Sequence, residues 1–286
     1  MNLLRTYSSL VLLLAALSTH AQWFPEMQRK GNVFGGWGWN RSMYTQSDIH
    51  FQGDDYDFTL HNVQAKDRQT HFKAETYFGL KTLTIPQTNM KLGYFINNHI
   101  ALTVGVDHMK YVMVQNQTVA FQGTIEDDEY MSMVNNNAVT LTPNFLLFEH
   151  TDGLNYLLTE IELFQGLYSS RLFNVSAFAG AGVGALMPKS NVTLMGYARN
   201  DEYHFAGFGT NVKCGVDLLL GNHFYMRGEA KAGYINMPSV VTRAESIKDR
   251  ASQQFGFAAI DFMIGFNITS RKKQILPTEN TSPSAG

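Results

Sequence analysis

Glu149-His150-Thr151-Asp152 is the most site-like cluster in the chain, and Glu160 follows it at even spacing. A histidine beside carboxylates has the chemistry of a general base or of a metal ligand. If the segment is a strand, side chains alternate between faces and His150, Asp152 and Glu160 share one. His108, in Asp107-His108-Met109-Lys110-Tyr111, has the opposite parity and stands next to a lysine. That pair suits an anionic group, or else a cation reaching towards polar headgroups. Ion pairing is the simpler role for His150 and its neighbours. Gly53-Asp54-Asp55-Tyr56-Asp57 and Glu126-Asp127-Asp128-Glu129 offer oxygen ligands, but neither has calcium-loop spacing. Gly180, Gly182 and Gly184 recur every second residue, whereas a nucleotide fingerprint needs a strand giving way to a helix at its glycines. No metal and no cofactor are predicted.

These residues need elements to hold them, and the N-terminus says where those elements reside. Arg5 precedes the apolar run Leu10–Leu17, and small residues close the segment at Ala21. A basic start, a short apolar core and a Thr19-His20-Ala21 exit predict a cleaved signal peptide over residues 1–21. The run is too short for a membrane-spanning helix, which needs about 20 apolar residues. No comparable stretch follows. The remainder is 44% hydrophobic and 13% aromatic by whole-chain composition, with a formal net charge of −2. The pI near 6.5 and mean hydropathy of −0.16 leave no basic stripe, so nucleic acid is not expected as a partner. Cys214 is the only cysteine, which excludes an internal disulfide and a cysteine-rich metal site.

Periodicity then decides the architecture. Ile100, Leu102, Val104 and Val106 alternate with Thr103, Gly105 and Asp107, and Met90, Leu92, Tyr94 and Ile96 alternate with Asn89, Lys91 and Gly93. The two runs meet at Asn97-Asn98, a tight-turn pair. The same two-residue period marks 157–163, 175–185, 212–218, 224–234 and 258–268, and an opening strand is predicted over Val33–Tyr44. Short turns at Asn97-Asn98, Ser169-Ser170-Arg171 and Gly221-Asn222 alternate with long polar segments at 45–84, 116–143, 188–203 and 239–252. That pattern predicts an all-β, antiparallel, up-and-down transmembrane β-barrel spanning 22–268. Eight strands are counted, or ten if 48–64 adds a hairpin. Long loops face outside, short turns face the periplasm, and a polar tail covers 269–286.

A membrane barrel sets apolar faces against lipid and charged faces inward, and eight strands leave an interior that side chains can fill. The expected lumen set is Arg41, Lys91, Asp107, Asp152, Glu160, Glu162, Lys213, Asp217, Arg227, Glu229, Lys231 and Asp261. Buried charges persist only when paired, so this set predicts a salt-bridged plug.

The signal peptide, the alternating strands, the Gly180-Ala181-Gly182-Val183-Gly184 strand and the aromatic-rich final strand resemble the small outer-membrane β-barrel proteins of Gram-negative bacteria. The segments Ser47–Phe51, Asp107–Tyr111 and Glu149–Tyr156 also resemble one branch of that group, which implies a shared fold and assigns no activity. The resemblance implies residence in the outer membrane, with lipid and lipopolysaccharide as partners. Glu149–Asp152 is loosely similar to the His-x-Ser motif of outer-membrane lipid A deacylases, but Asp152 stands where the serine belongs. Three roles are compared below: a monomeric, non-enzymatic barrel with external loops for binding or envelope stability, a lipid A hydrolase using His150 or His108, and a narrow pore.

Overall fold

Alternation along a strand gives each strand one inward and one outward face, and a ring of eight strands uses both. The computed structural model describes residues 25–268, apart from 80, 81, 83, 84, 222, 244, 245 and 247. In chain order the elements are β1 (Val33–Tyr44), β2 (Ser47–Gln52), β3 (Tyr56–Val63), β4 (Ala65–Lys66), the short helix α1 (Ala74–Phe78), β5 (Thr88–Phe95) and β6 (Ile100–Met113). There follow β7 (Thr118–Ile125), the one-turn helix α2 (Asp128–Met131), β8 (Ala138–Thr140), β9 (Leu146–Ser169), β10 (Phe173–Leu186), β11 (Lys189–Leu194) and β12 (Asn200–Tyr203). The chain closes with β13 (Gly207–Leu220), β14 (Phe224–Val241) and β15 (Arg250–Ile268). The signal peptide expected at 1–21, the tail at 269–286 and Asn222 of one turn lie outside the described residues.

The ring runs β1–β5–β6–β9–β10–β13–β14–β15, antiparallel throughout, and β15 pairs back onto β1 from Val33↔Ile268 to Tyr44↔Phe257. Residues 48–64 do form a hairpin, β2–β3. It pairs with the outer end of β15 rather than entering the ring, so the count stays at eight. No helix among the described residues is long and apolar enough to cross a membrane.

A transmembrane strand needs about 9–11 residues. β9 has 24, β15 has 19 and β14 has 18, so all three stand well clear of the bilayer. Their outer ends carry an external head. One side extends β15 through β2, β3, β7 and β8, and the other adds β11 and β12 to β9. Much of what reads as polar loop in the sequence is therefore strand. The outward residues of β2 and β3 are polar, while Ile49, Phe51, Phe58 and Leu60 turn inward and join a core with Phe121, Phe145, Phe148 and Phe255.

One inward face thus changes chemistry with height. Near the short turns, Phe34, Phe95, Ala101, Phe164, Phe178 and Tyr225 form an aromatic floor, with Phe95 and Phe164 ring centroids 4.9 Å apart. Charged side chains fill the middle, and the apolar core of the head lies above. Outside, Phe208, Val212, Val216, Ile161, Ile260 and Phe266 are exposed, as a lipid-facing wall requires.

Close packing of the ring depends on inward glycines. A Cβ on Gly182 would sit 2.6 Å from Glu160 Cγ, and one on Gly180 would sit 3.2 Å from Lys213 Cε. A Cβ on Gly38 would strike the Phe262 carbonyl oxygen and lie 2.6 Å from Met263 Cα, across the seam that closes the barrel. The extracted protein is therefore expected to migrate differently on gels before and after boiling. Gly38→Val should abolish the folded band, and an unchanged shift in that variant would contradict the seam register.

Candidate functional site

The central layer of the lumen gathers most of the chain's buried charge. Lys91 extends from β5, Asp107 from β6, Glu160 and Glu162 from β9, Lys213 and Asp217 from β13, Arg227, Glu229 and Lys231 from β14, and Asp261 from β15. Lys91 Nζ lies 2.8 Å from Glu229 and 3.4 Å from Glu160. Lys213 Nζ contacts Glu160 directly, with Glu162 at 2.5 Å and Glu229 at 3.4 Å. Arg227 grips Asp217 through two bonds of 2.7 and 2.9 Å and reaches Glu162 at 3.1 Å. Lys231 donates to Asp107 and has Glu160 and Glu229 at 3.5 Å and Asp261 at 3.9 Å. Asn211 donates to Glu160 at 2.8 Å and accepts from the Tyr156 hydroxyl at 3.0 Å. Asn211 and Tyr156 carry no formal charge and join this layer through their inward positions on β13 and β9.

Apart from Asp217 at 16%, the side chains of these ion pairs are no more than 3% exposed. Each burial costs several kcal/mol of hydration, and only close opposite charges offset it. Arg227 also lies 4.2 Å from the Phe178 ring centroid, which ties the ionic layer to the aromatic floor.

Two residues expected in this set lie elsewhere. Arg41 is exposed on the outer face of β1, because it shares parity with Trp37 and Trp39 while Asn40 and Ser42 take the lumen side. Asp152 is displaced by an irregularity in β9. Met109 of β6 pairs with Leu154 while Tyr111 pairs with His150, so the intervening residues bulge, with Gly153 at φ +125°. Asp152 turns outward to Lys189 at 3.1 Å.

His150 remains inward and fully buried, packed between Tyr111 and Phe148. Its Nδ1 lies 2.9 Å from Ser190 Oγ, from β11, a strand hidden in a stretch that reads as loop. Burial, aided by the nearby His204, pushes the imidazole down to about 3. A serine–histidine pair is thus present, but it is fully buried, and among the described residues its Nε2 has no hydrogen-bond partner. His108 faces outward and its Nδ1 meets Asn155 Oδ1 at 2.8 Å.

Four members of the acidic runs are engaged by the protein itself. Asp54 pairs with Lys248 at 2.5 Å, Asp55 accepts from Tyr197, and Asp57 meets His50 at 2.9 Å. Asp127 caps α2 by accepting from the Glu129 N–H at 2.8 Å. Among the described residues, no group of three or more His, Cys, Asp or Glu side chains is placed to hold a metal ion.

Two further features flank the barrel. At the periplasmic mouth, a cavity of about 260 Å³ is lined by Arg29, Phe95, Phe164, Asp217, Tyr225 and Arg227. Arg29 rises into it, bonds the Asn98 carbonyl at 3.0 Å, and is lowered to about 10 by burial against the opposing pull of Asp217. On the outer face of β2 and β3, His50–Asp57 and His61–Asp48 pair at 2.9 Å each, diagonal to one another across Thr59. Asp48 holds the His61 imidazole above its ordinary value. Slight burial opposes ionisation of Asp48, but the Asn62 N–H and the His61 ring outweigh it and keep the carboxyl below the usual range.

A closed antiparallel ring with an apolar exterior, an ionic interior and long strands at one end defines an outer-membrane β-barrel protein. Solved structures similar to this chain are of the same kind. OprG from Pseudomonas aeruginosa matches with a TM-score of 0.38 and 8% identity over 86% of this chain and 99% of that one. Ail, the attachment invasion locus protein of Yersinia pestis, matches at 0.29 and 10% over 84% and 99%. The N-terminal β-barrel domain of Pseudomonas aeruginosa OprF matches at 0.29 and 8% over 85% and 100%. At such identities a likeness concerns the fold and carries no activity across. No family model matches the chain, and no curated protein matches it.

Glu160 accepts from Lys213 and Asn211 and lies near Lys91 and Lys231, so Glu160→Ala should strand buried cations and cost about 3–5 kcal/mol in denaturant titrations of the reconstituted barrel. Asp54→Asn, at an exposed pair, should leave the midpoint unchanged. For the external pair the sign is fixed by both partners. His61, raised when folded, contributes below its unfolded pKa and loses that contribution as pH rises through its folded value. Asp48, depressed when folded, contributes above its unfolded pKa and loses that contribution as pH falls through its folded value. The pair is therefore strongest between those limits. In an NMR titration, Asp48→Asn should move the His61 midpoint down towards that of an ordinary histidine.

Proposed function

We propose that this protein is a non-conducting, non-enzymatic, monomeric outer-membrane barrel whose role is to hold its external β head at the cell surface as a recognition element. The observation that carries the reading is the sealed lumen. Lys91, Glu160, Glu162, Lys213 and Glu229 have no exposed side-chain surface. Aromatic rings close the layer beneath them and an apolar core closes the layer above. A pore needs a continuous wetted path, and the ionic layer and the head core interrupt it above the cavity at the periplasmic mouth.

The head is built to keep a fixed shape, since its strands share one core with the barrel strands that enter the membrane. Its outer face presents His50, Asp57, Thr59, His61, Asp48 and Gln122 on paired strands. A polar surface of this kind supports binding to polar groups at the envelope, such as the sugars and phosphates of lipopolysaccharide. A hydrolytic role through His150 has no such support, because a substrate cannot reach an imidazole buried under Tyr111 and Phe148. His108, with its Nδ1 held by Asn155, lacks a nearby serine on its own strand.

Purified protein in planar bilayers should give no steady single-channel conductance. A reproducible open state would overturn the reading. Lipid A mass spectra from cells with and without the protein should coincide, and a lost acyl chain or phosphate that depends on His150 or His108 would restore the enzyme.

A further inference from the structure

The apolar belt of the barrel is uneven in height. On β13 it runs from Leu220 up to Phe208, and on β15 from Ile268 up to Ile260. On β6 the outward residues Ile100, Leu102, Val104 and Val106 are followed at once by His108 and Lys110. On β1 the belt ends where Arg41 follows Trp39, and on β5 it ends at Met90 and Thr88. The wall made by β1, β5 and β6 therefore carries its apolar belt over a shorter run than β13 and β15 do.

Over this short wall lies the segment 67–79, which contains α1. Phe78 packs on Trp39 at 5.3 Å and on Trp37 at 6.5 Å, and Tyr77 lies 6.0 Å from Trp39. Trp37 pairs in register with Met90 and Ile264, and Trp39 stacks with Phe262, so these rings sit at the level of the belt. Lys110, only 9% exposed, is covered as well, its Nζ bonded to the Ile85 carbonyl at 2.6 Å.

The segment bonds part of its backbone to itself. Thr76 and Tyr77 N–H groups donate to the Lys73 carbonyl at 2.9 Å, and the Tyr77 hydroxyl donates to the Thr70 carbonyl at 2.7 Å. Thr82 Oγ1 donates to the Glu75 carbonyl at 3.0 Å, and Thr70 Oγ1 donates to the Ile85 carbonyl at 3.0 Å. Outward it presents large apolar side chains, Phe72 at 72% exposed, Phe78 at 56% and Ile85 at 48%, set among the exposed polar residues Arg68, Gln69, His71, Lys73 and Glu75. Exposed rings set among long polar side chains, over a backbone partly bonded to itself, suit an interfacial segment at the headgroup–acyl boundary.

We propose that residues 67–79, with Ile85, form an interfacial element that seats Phe72 and Phe78 among outer-leaflet acyl chains and completes the lipid-facing belt over the β1–β5–β6 wall. The occupant of this surface is lipid, because the patch is continuous with Trp37, Trp39 and Phe262 of the belt itself. Lys73 and Glu75 then lie at headgroup level, where long side chains reach polar surroundings. The proposal rests on the barrel's orientation in the bilayer, which one position of the test examines separately.

Cys214, exposed on the outer face of β13, provides a native bilayer reference for a nitroxide label on the full chain in liposomes. Labels at Phe72→Cys and Phe78→Cys in a Cys214→Ala background would be compared with it, and Thr124→Cys on the head would report water. Power-saturation accessibility to oxygen and to a water-soluble nickel chelate is read at each. Labels at 72 and 78 should resemble that at Cys214, with an oxygen-to-nickel ratio several-fold above that at 124. A ratio at 72 and 78 equal to that at 124 overturns the proposal while leaving the barrel intact. A water-like ratio at Cys214 overturns the barrel orientation and the proposal together. Among the described residues Phe72 meets one ring, that of Tyr77, so its variant should keep the folded gel band even if Phe78→Cys does not.

Discussion

A charge withdrawn from water must find its opposite, and that requirement organises this barrel. Ten ionisable side chains from six strands converge at one level, and Glu160, Glu162 and Glu229 are each shared between two or more cations. Arg227 can grip Asp217 across neighbouring strands, but Glu160 and Glu162 of β9 draw on cations from β5, β13 and β14, none of which neighbours β9. The ring must therefore have the right register all round before the whole layer is satisfied. Gly180 and Gly182 serve the same end by leaving room for the Lys213 stem and the Glu160 side chain.

Height along the barrel axis then assigns the chemistry of each inward position. Arg227, Glu229 and Lys231 share a face of β14 with Ile235 and Met237, yet the first three are ionic and the last two join an apolar core. The difference is what surrounds the wall. Within the bilayer the exterior is greasy and the interior can take charge. Above it the exterior is wet, and the interior reverts to the packing of a soluble β-sandwich. Long strands such as β9 pass from one regime to the other without interruption.

The ring was legible in the sequence because its strands keep a strict two-residue period over long runs, as in Ala258–Ile268 and Val212–Leu218. The head is legible only in part. The alternation of Ser47–Gln52 offers the 48–64 hairpin as an alternative, whereas Thr118–Ile125 and Lys189–Leu194 are short strands inside long polar segments. Parity also failed where the backbone breaks period. Gly153 adopts a conformation that side chains disfavour, and the bulge it permits turns Asp152 away from the lumen that simple counting assigned it. His150 kept its inward position, but its serine partner comes from a distant strand that local spacing cannot reveal. Arg41 was misplaced for a different reason, since its parity with Trp37 and Trp39 already set it outside.

The seam between β1 and β15 carries an implication for how the molecule comes into being. Val33 meets Ile268, so the first ring strand waits for the last before the cylinder exists at all. Until then Lys91 and Asp107 have emerged from synthesis while Glu229 and Lys231, their counterparts near the end of the chain, have not. Such distant pairings are slow to form. The nascent chain must therefore travel with its ionic rungs still hydrated, and only the arrival of the final two strands lets the interior dry.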